Sequence, residues 1–164
     1  MTIETNRLKL VLLNPRQLRL WAEDISALEK ELNCTYEAEP MDDFFLEIIK
    51  TQVELTENDP KNYMWHSFYF LMCKSDNVVI GSVDFKGIPN KKGEVEIGYG
   101  LGKNFEHNGY MTEAIKGLCD WALGQDFISH IIAETDLDGL ASQRVLKRCG
   151  FQKYKQEETL WWRL

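Results

Sequence analysis

The residues best suited to chemistry lie between Gly93 and Leu123, in the run GEVEIGYGLGKNFEHNGYMTEAIKGLCDWAL. Lys103 to Asn108 form a polar loop that leads through Gly109 into a segment with Met111, Ile115, Leu118 and Ala122 at helical spacing. The first turn of such a helix offers backbone N–H groups without partners and the positive end of the helix dipole. That combination binds phosphate or pyrophosphate. Just upstream, Gly98 and Gly100 share one face of a strand. Glycines there mark either a bulge or the close approach of a ligand or another backbone, which would leave a slot beside the strand.

The elements that must position these groups follow from periodicity. Val95, Ile97, Tyr99 and Leu101 alternate with Glu94, Glu96, Gly98 and Gly100, the period of a strand. Before it, Thr5 to Leu13 read as a first strand. Asn14-Pro15 cap a helix whose apolar stripe is Leu18, Trp21, Ile25, Leu28 and Leu32. Asn33 to Met41 read as a loop. Asp42 or Asp43 caps a second helix with Phe45, Ile48, Ile49 and Val53 as apolar positions, ending at Glu57 to Pro60. His66 to Lys74 and Val78 to Lys86 are strands joined by a turn at Ser75 to Asn77, and Gly87 to Gly93 is a second turn.

After the helix, Gly124 to Asp126 break the chain. Phe127 to Ala133 are almost continuously apolar, as expected of a strand covered on both faces. Asp136 to Gly139 open a short helix with Ala141, Val145, Leu146 and Cys149 inward and Gly150 as its left-handed cap. Phe151 to Tyr154 and Thr159 to Leu164 close as a hairpin. The expected architecture is one α/β domain over residues 1–164, with a mixed sheet and helices on both faces.

The 164 residues are 44% hydrophobic with a net charge of −7. That balance argues against a general nucleic-acid surface. Cys34, Cys73, Cys119 and Cys149 have no metal-binding or redox spacing. No apolar run suits a signal peptide or a membrane span, so a cytoplasmic protein without metal, nucleic acid or membrane partner is expected.

Four short motifs, in this order and spacing, resemble the GNAT superfamily of N-acetyltransferases. They are Ile80-Gly81 with Asp84-Phe85-Lys86-Gly87; Val95-Glu96-Ile97-Gly98-Tyr99; Gly109-Tyr110-Met111-Thr112-Glu113-Ala114; and Ala141-Ser142 with Cys149-Gly150-Phe151. The resemblance spans the chain and looks closest to the branch that includes ribosomal-protein N-terminal acetyltransferases. It implies a mostly antiparallel central sheet and acetyl-CoA as co-substrate. The pantetheine arm would bond to the backbone of Ile97, Gly98 and Tyr99 as an extra strand does. The pyrophosphate would sit on the amides from Glu106 through His107, Asn108, Gly109, Tyr110 and Met111 to Thr112.

The resemblance also implies roles. Glu96 matches the strand glutamate that serves as base, directly or through water, with Glu94 on the same face as its rival. Ser142 matches the helix serine that reprotonates the thiolate, and Tyr99 would offer a backbone N–H to the oxyanion. Three positions depart from the family. Glu106 replaces Gln or Arg, so either its side chain turns outward or CoA binding is weakened. Gly139 replaces an Asn that contacts the cofactor arm. Leu146 stands where many relatives carry a tyrosine acid.

The chemistry ranks these roles. An alkylamine of pKa about 10.4 costs roughly 4.6 kcal/mol to deprotonate at pH 7. Releasing a thiolate of pKa about 8.5 costs only about 2 kcal/mol. The base therefore matters more than the acid. The acceptor implied is a primary amine, either a protein N-terminus or a small cationic amine. It is expected between the first two helices and the closing strands. A CoA- or partner-binding module without catalysis is the alternative, and the chain would act as monomer or homodimer. His107 reads as an exposed loop residue, and His66 and His130 as structural strand residues. Arg144, Lys147 and Arg148 read as solvated or phosphate-facing, and Trp161 and Trp162 as one pocket residue and one core residue.

Overall fold

The structure, a computed structural model, describes residues 1–164. Its strands are β1 (Thr2–Glu4), β2 (Leu8–Leu12), β3 (Thr35–Tyr36), β4 (Phe68–Cys73), β5 (Val78–Phe85), β6 (Glu94–Leu101), β7 (His130–Thr135), β8 (Gln152–Gln156) and β9 (Leu160–Arg163). The helices are α1 (Pro15–Glu23), α2 (Ile25–Leu32), α3 (Asp43–Asn58), α4 (Tyr110–Leu123) and α5 (Leu140–Arg148), with short 3-10 turns at Tyr63–Trp65 and Lys103–Phe105. The sheet order is β1-β2-β4-β5-β6-β7-β9-β8, with β3 beside β5. Only β6–β7 and β3–β5 are parallel, so the sheet is mixed and mostly antiparallel, as expected. No helix is long and apolar enough to cross a membrane.

The two faces of the sheet carry separate cores. β4 is buried at every position, because it is central and covered on both sides. Its Phe68, Phe70 and Met72 join Leu18, Trp21, Leu28, Ile49 and Val53 under α1 to α3. Its Tyr69, Leu71 and Cys73 join Met111, Ile115, Leu118 and Leu146 under α4 and α5. Trp21 stands edge-on to Phe45, Phe68 and Phe70, a geometry aromatic pairs favour.

Several elements differ from expectation, each for a local reason. The first strand is a hairpin of β1 and β2, because Thr5 bonds to Leu8 and turns the chain. The first helix is two helices. Its apolar stripe runs unbroken, but the Asp24 carboxylate accepts from the Ala27 amide and restarts the helix. Part of the expected loop pairs as β3. In α3, Ile48 is exposed at 37% while Ile49 and Val53 are buried. His66 ends the 3-10 turn rather than lying in a strand. β7 begins only at His130 and alternates buried with exposed positions, so it is covered on one face. In α5, Ala141 is exposed and Gln143 is buried, its amide donating to the carbonyls of Asp136 and Leu137.

The Asn14–Pro15 start of α1, the Asp42 cap of α3 and the left-handed Gly150 (φ 91) all stand as expected. Gly81 on β5 packs so closely on β6 that a Cβ there would collide with the Gly100 carbonyl oxygen. Gly81→Ala is therefore expected to destabilise the fold by about 2 kcal/mol or more, as overpacking does. A thermal melt should show Tm lower by roughly 4–8 °C.

Candidate active site

The site begins where β6 loses a neighbour. Along β5 the pairing is complete, from Phe85 opposite Ile97 to Gly81 opposite Leu101. Along β7 it covers only Glu94 to Glu96. The near ends are tied by the amides of Ser129 and His130, which both donate to the Gly93 carbonyl. Beyond Glu96 the strands part. Lys86 bonds to the Glu96 carbonyl and Gly102 bonds to that of Ile80, so the even residues of β6 face β5. Tyr99 and Leu101 therefore turn their N–H and C=O groups to the open edge.

On the α4 side of this edge lies a cleft of about 460 Å³. The chain reverses there through left-handed His107 (φ 65) and Gly109 (φ 78). The amides of Asn108, Gly109, Tyr110, Met111 and Thr112 have no acceptor within the protein. They point into a helix start, as an anion site requires. Arg144 and Arg148 line the same cleft, whereas Lys147 lies over the Trp162 ring. Glu106 stays half exposed at the rim, and the His107 side chain is 93% exposed.

A clamp from the first hairpin holds this loop. The Glu113 carboxylate accepts from the Thr5 hydroxyl, the Arg7 amide and the Arg7 guanidinium at 2.6–2.7 Å. Arg7 also donates to the Asn108 carbonyl at 2.9 Å and lies 4.2 Å from the centre of the Tyr110 ring. Burial opposes ionisation of Glu113, but these donors outweigh it and hold the carboxyl below its usual range.

On the other side of the sheet lies a cavity of about 720 Å³. Trp21, Tyr36, Phe44, Phe45 and Ile48 form its apolar wall. Glu39, Asp42, Asp84 and Glu134 make it acidic, with Lys86 as the cation. Cavity and cleft share Tyr99, Gly100, Leu101 and Ser142, so they meet across the open edge. At the junction the Tyr99 hydroxyl and Ser142 Oγ are 2.6 Å apart. Burial raises the Tyr99 phenol above its ordinary value, and the bond to Ser142 partly offsets this.

Asp84 is 8% exposed and is bonded to no donor. Burial pushes its carboxyl up to about 7, with nearby Lys86 lowering it and Glu96 raising it. Glu96 itself is paired to Lys86 at 3.1 Å and borders a shallower groove with Asn90, Tyr154 and Trp161. Gly139 caps α5 without lining either the cleft or the cavity. The closing strands do not line this cavity, because Trp162 is buried with its Nε1 donating to Thr135 and Trp161 faces the shallower groove. The thiols take no part. Burial pushes Cys34 and Cys149 up to about 11, far from a reactive thiolate.

Tyr99, Ser142 and residues of the loop from Glu106 to Thr112 thus lie around one cleft. Arg7, Glu113, Asp84 and the Tyr99 hydroxyl are not singled out by the sequence. Asp84, Glu113 and Tyr99 lie inside motifs and Arg7 does not, but nothing local marks the side chains of these residues as polar groups beside the site.

Comparison with known proteins agrees with this geometry. The profile of the acetyltransferase (GNAT) domain matches residues 13–152. An uncharacterized N-acetyltransferase of Bacillus subtilis, YjdG, is 32% identical over 153 residues, covering 91% of this chain and 88% of the relative. The chain belongs to the GNAT acetyltransferase family. This acetyltransferase also shares its fold with a ribosomal-protein-S5-alanine acetyltransferase from Vibrio fischeri, at TM-score 0.71 and 18% identity, covering 100% of this chain and 96% of the other. RimL, a ribosomal L7/L12 alpha-N-protein acetyltransferase solved in complex with coenzyme A, gives TM-score 0.71 at 14% identity, covering 100% and 97%. Both ribosomal-protein acetyltransferases thus share the fold of this chain.

The Asp84 carboxyl makes stability depend on pH. Its proton affinity is higher folded, at about 7, than unfolded, near 3.8. The folded state therefore holds a proton that the unfolded state has lost, and stability falls as pH rises from about 4 to about 7. The gap of about three pH units is worth at most roughly 4 kcal/mol. Thermal melts at pH 5 and pH 8 should show that Asp84→Asn flattens this fall and raises Tm at pH 8. An unchanged slope would remove Asp84 as its source.

Proposed function

We propose that the protein moves an acetyl group from acetyl-CoA to a primary amine by direct attack. One observation carries this reading: a cation-lined cleft and an acidic cavity, on opposite sides of the sheet, meet at the unpaired edge of β6. An anionic donor and a cationic acceptor would be drawn to different sides and touch only there.

The co-substrate supplies an activated acetyl thioester. The amides of Asn108 to Thr112 hold its pyrophosphate, with Arg144 and Arg148 beside the phosphates. The open edge at Tyr99 and Leu101 takes the pantetheine arm as an added strand. The Tyr99 amide faces the carbonyl oxygen as charge develops on it. The Tyr99–Ser142 hydroxyl pair returns a proton to the leaving sulfur. The acceptor is a protein N-terminus or a small cationic amine with an apolar body that fits against Phe44, Phe45 and Ile48. Four free thiols suit a reducing, cytoplasmic setting.

A thiol-release assay with acetyl-CoA and a panel of peptide N-termini, polyamines, aminoglycosides and amino acids tests the reading. Turnover of at least one amine is expected, and none on the whole panel would defeat it. Ser142→Ala and Tyr99→Phe should each lower kcat by roughly tenfold to a hundredfold, with little change in KM for the acceptor. Arg7→Ala should weaken CoA binding by about tenfold in calorimetry, equivalent to roughly 1.4 kcal/mol, because the loop loses its brace. Unchanged CoA affinity would show that the loop holds its shape without Arg7.

A further inference from the structure

Asp84 has no structural task in this fold. A buried carboxylate without donors is costly, and the usual remedy is a cation or several hydrogen bonds. Lys86 could supply one, but its Nζ is engaged with Glu96 at 3.1 Å. The space around Asp84 has instead been cleared for its carboxylate. It stands opposite Gly98 in the β5–β6 register, and a Cβ on Gly98 would lie 2.7 Å from Asp84 Oδ1. On the same face, a Cβ on Gly100 would meet nothing within 4 Å. The two strand glycines thus do different things. Gly98 makes room for a carboxylate, and Gly100 leaves open space between that carboxylate and the reaction edge.

We propose that Asp84 receives the acceptor's ammonium group and takes its proton, and that Glu96 is a positioning residue acting through Lys86. The proposal rests on the acetyl-transfer reading and adds to it where the amine binds and which group deprotonates it. The step balances. One ammonium proton passes to the Asp84 carboxylate, and the freed amine attacks the thioester carbonyl. The nitrogen–carbon bond forms and the carbon–sulfur bond breaks. The second proton lost from nitrogen passes to the Tyr99–Ser142 pair and replaces the one that the pair gives to the leaving sulfur. Products are the N-acetyl amide, the free thiol and a neutral Asp84.

The charges facing Asp84 set its behaviour. Lys86 and Glu96 stand beside it, and Glu39, Asp42 and Glu134 line the same cavity. Glu39 and Asp42 are held by the Lys103 and Phe45 amides, and Glu134 by the Thr159 hydroxyl. Only Asp84 is left with both oxygens unbonded. Burial lets it hold a proton near neutrality against the opposing pull of Lys86, with Glu96 adding to the rise, a fit starting point for a general base.

The experiment compares pH–rate profiles of kcat/KM for the wild type, Asp84→Asn and Glu96→Gln on the best amine of the panel. In the wild type, activity should rise with pH through about 7 as Asp84 ionises. Asp84→Asn should lose at least about 10²-fold in activity and lose that limb. Glu96→Gln should lose less and keep the limb, displaced to lower pH, because a negative neighbour of Asp84 is gone. A limb that survives in Asp84→Asn, or vanishes only in Glu96→Gln, overturns the proposal. A second measurement needs no turnover. Calorimetric titration with n-butylammonium at pH 8 should show binding to the wild type that Asp84→Asn loses, while CoA still raises the Tm of both. Equal binding to both proteins, or binding to neither, overturns it. Failure of the whole amine panel with butylammonium binding intact would instead remove the transferase reading and leave the ammonium site standing.

Discussion

The parting of β6 from β7 is the constraint on which the rest of the structure depends. Both strands are fixed at their starts by the Gly93 carbonyl, which accepts two amides from the β7 side. Past Glu96 only one edge of β6 is paired, and the other presents main-chain groups to whatever enters. Main chain left unpaired inside a protein is costly unless a partner arrives, so such an edge belongs to a binding site rather than to a scaffold. On the other edge β5 keeps an unbroken register with the strand past Gly98 and Gly100. Gly81 allows that approach, since any side chain there would strike the Gly100 carbonyl.

The sheet then separates two electrostatic environments. A net charge of −7 would repel an anionic donor from most of the surface. The cleft overcomes this locally with Arg144, Arg148, the amides at the start of α4 and the dipole of that helix. Glu113 would work against it as a bare carboxylate in the first turn. It is instead neutralised by Arg7 and saturated with donors. On the other side Glu39, Asp42, Asp84 and Glu134 keep the cavity acidic, which suits the cationic acceptor of the proposed reaction. A chain with uniform charge could attract one partner but not both.

The legible parts of this design are the periodic ones. The β6–loop–α4 run could be read because a period of two gives way to 3.6 across a glycine, and short-range pattern fixes both elements. The break at Asp24 was hidden because the apolar stripe continues through it while one side chain ends the helix. β7 was misplaced because Phe127 and Ile128 extend its apolar run without extending its pairing; Phe127 is 57% exposed. The Arg7–Glu113 contact joins residues 106 apart in sequence and leaves no local trace. Asp84 was visible only as a letter in a motif. What distinguishes it is the absence of a donor, and that is a property of the folded neighbourhood.

The departures from the family pattern also become intelligible. The position where many relatives carry a tyrosine acid is Leu146, fully buried in the core under α5. A phenol still reaches the helix serine, because Tyr99 on the open strand bonds to Ser142 at 2.6 Å. In the proposed mechanism the acid thus comes from the strand as well as the helix, through the one hydroxyl pair. This arrangement has an energetic basis. Releasing a thiolate near pH 7 costs about 2 kcal/mol, whereas freeing an alkylamine costs about 4.6 kcal/mol. A loosely specified hydroxyl suffices for the first, while the second needs a carboxylate with raised proton affinity beside the nucleophile. In the proposed mechanism the larger burden falls where the larger barrier lies, on the buried Asp84 carboxyl opposite Gly98.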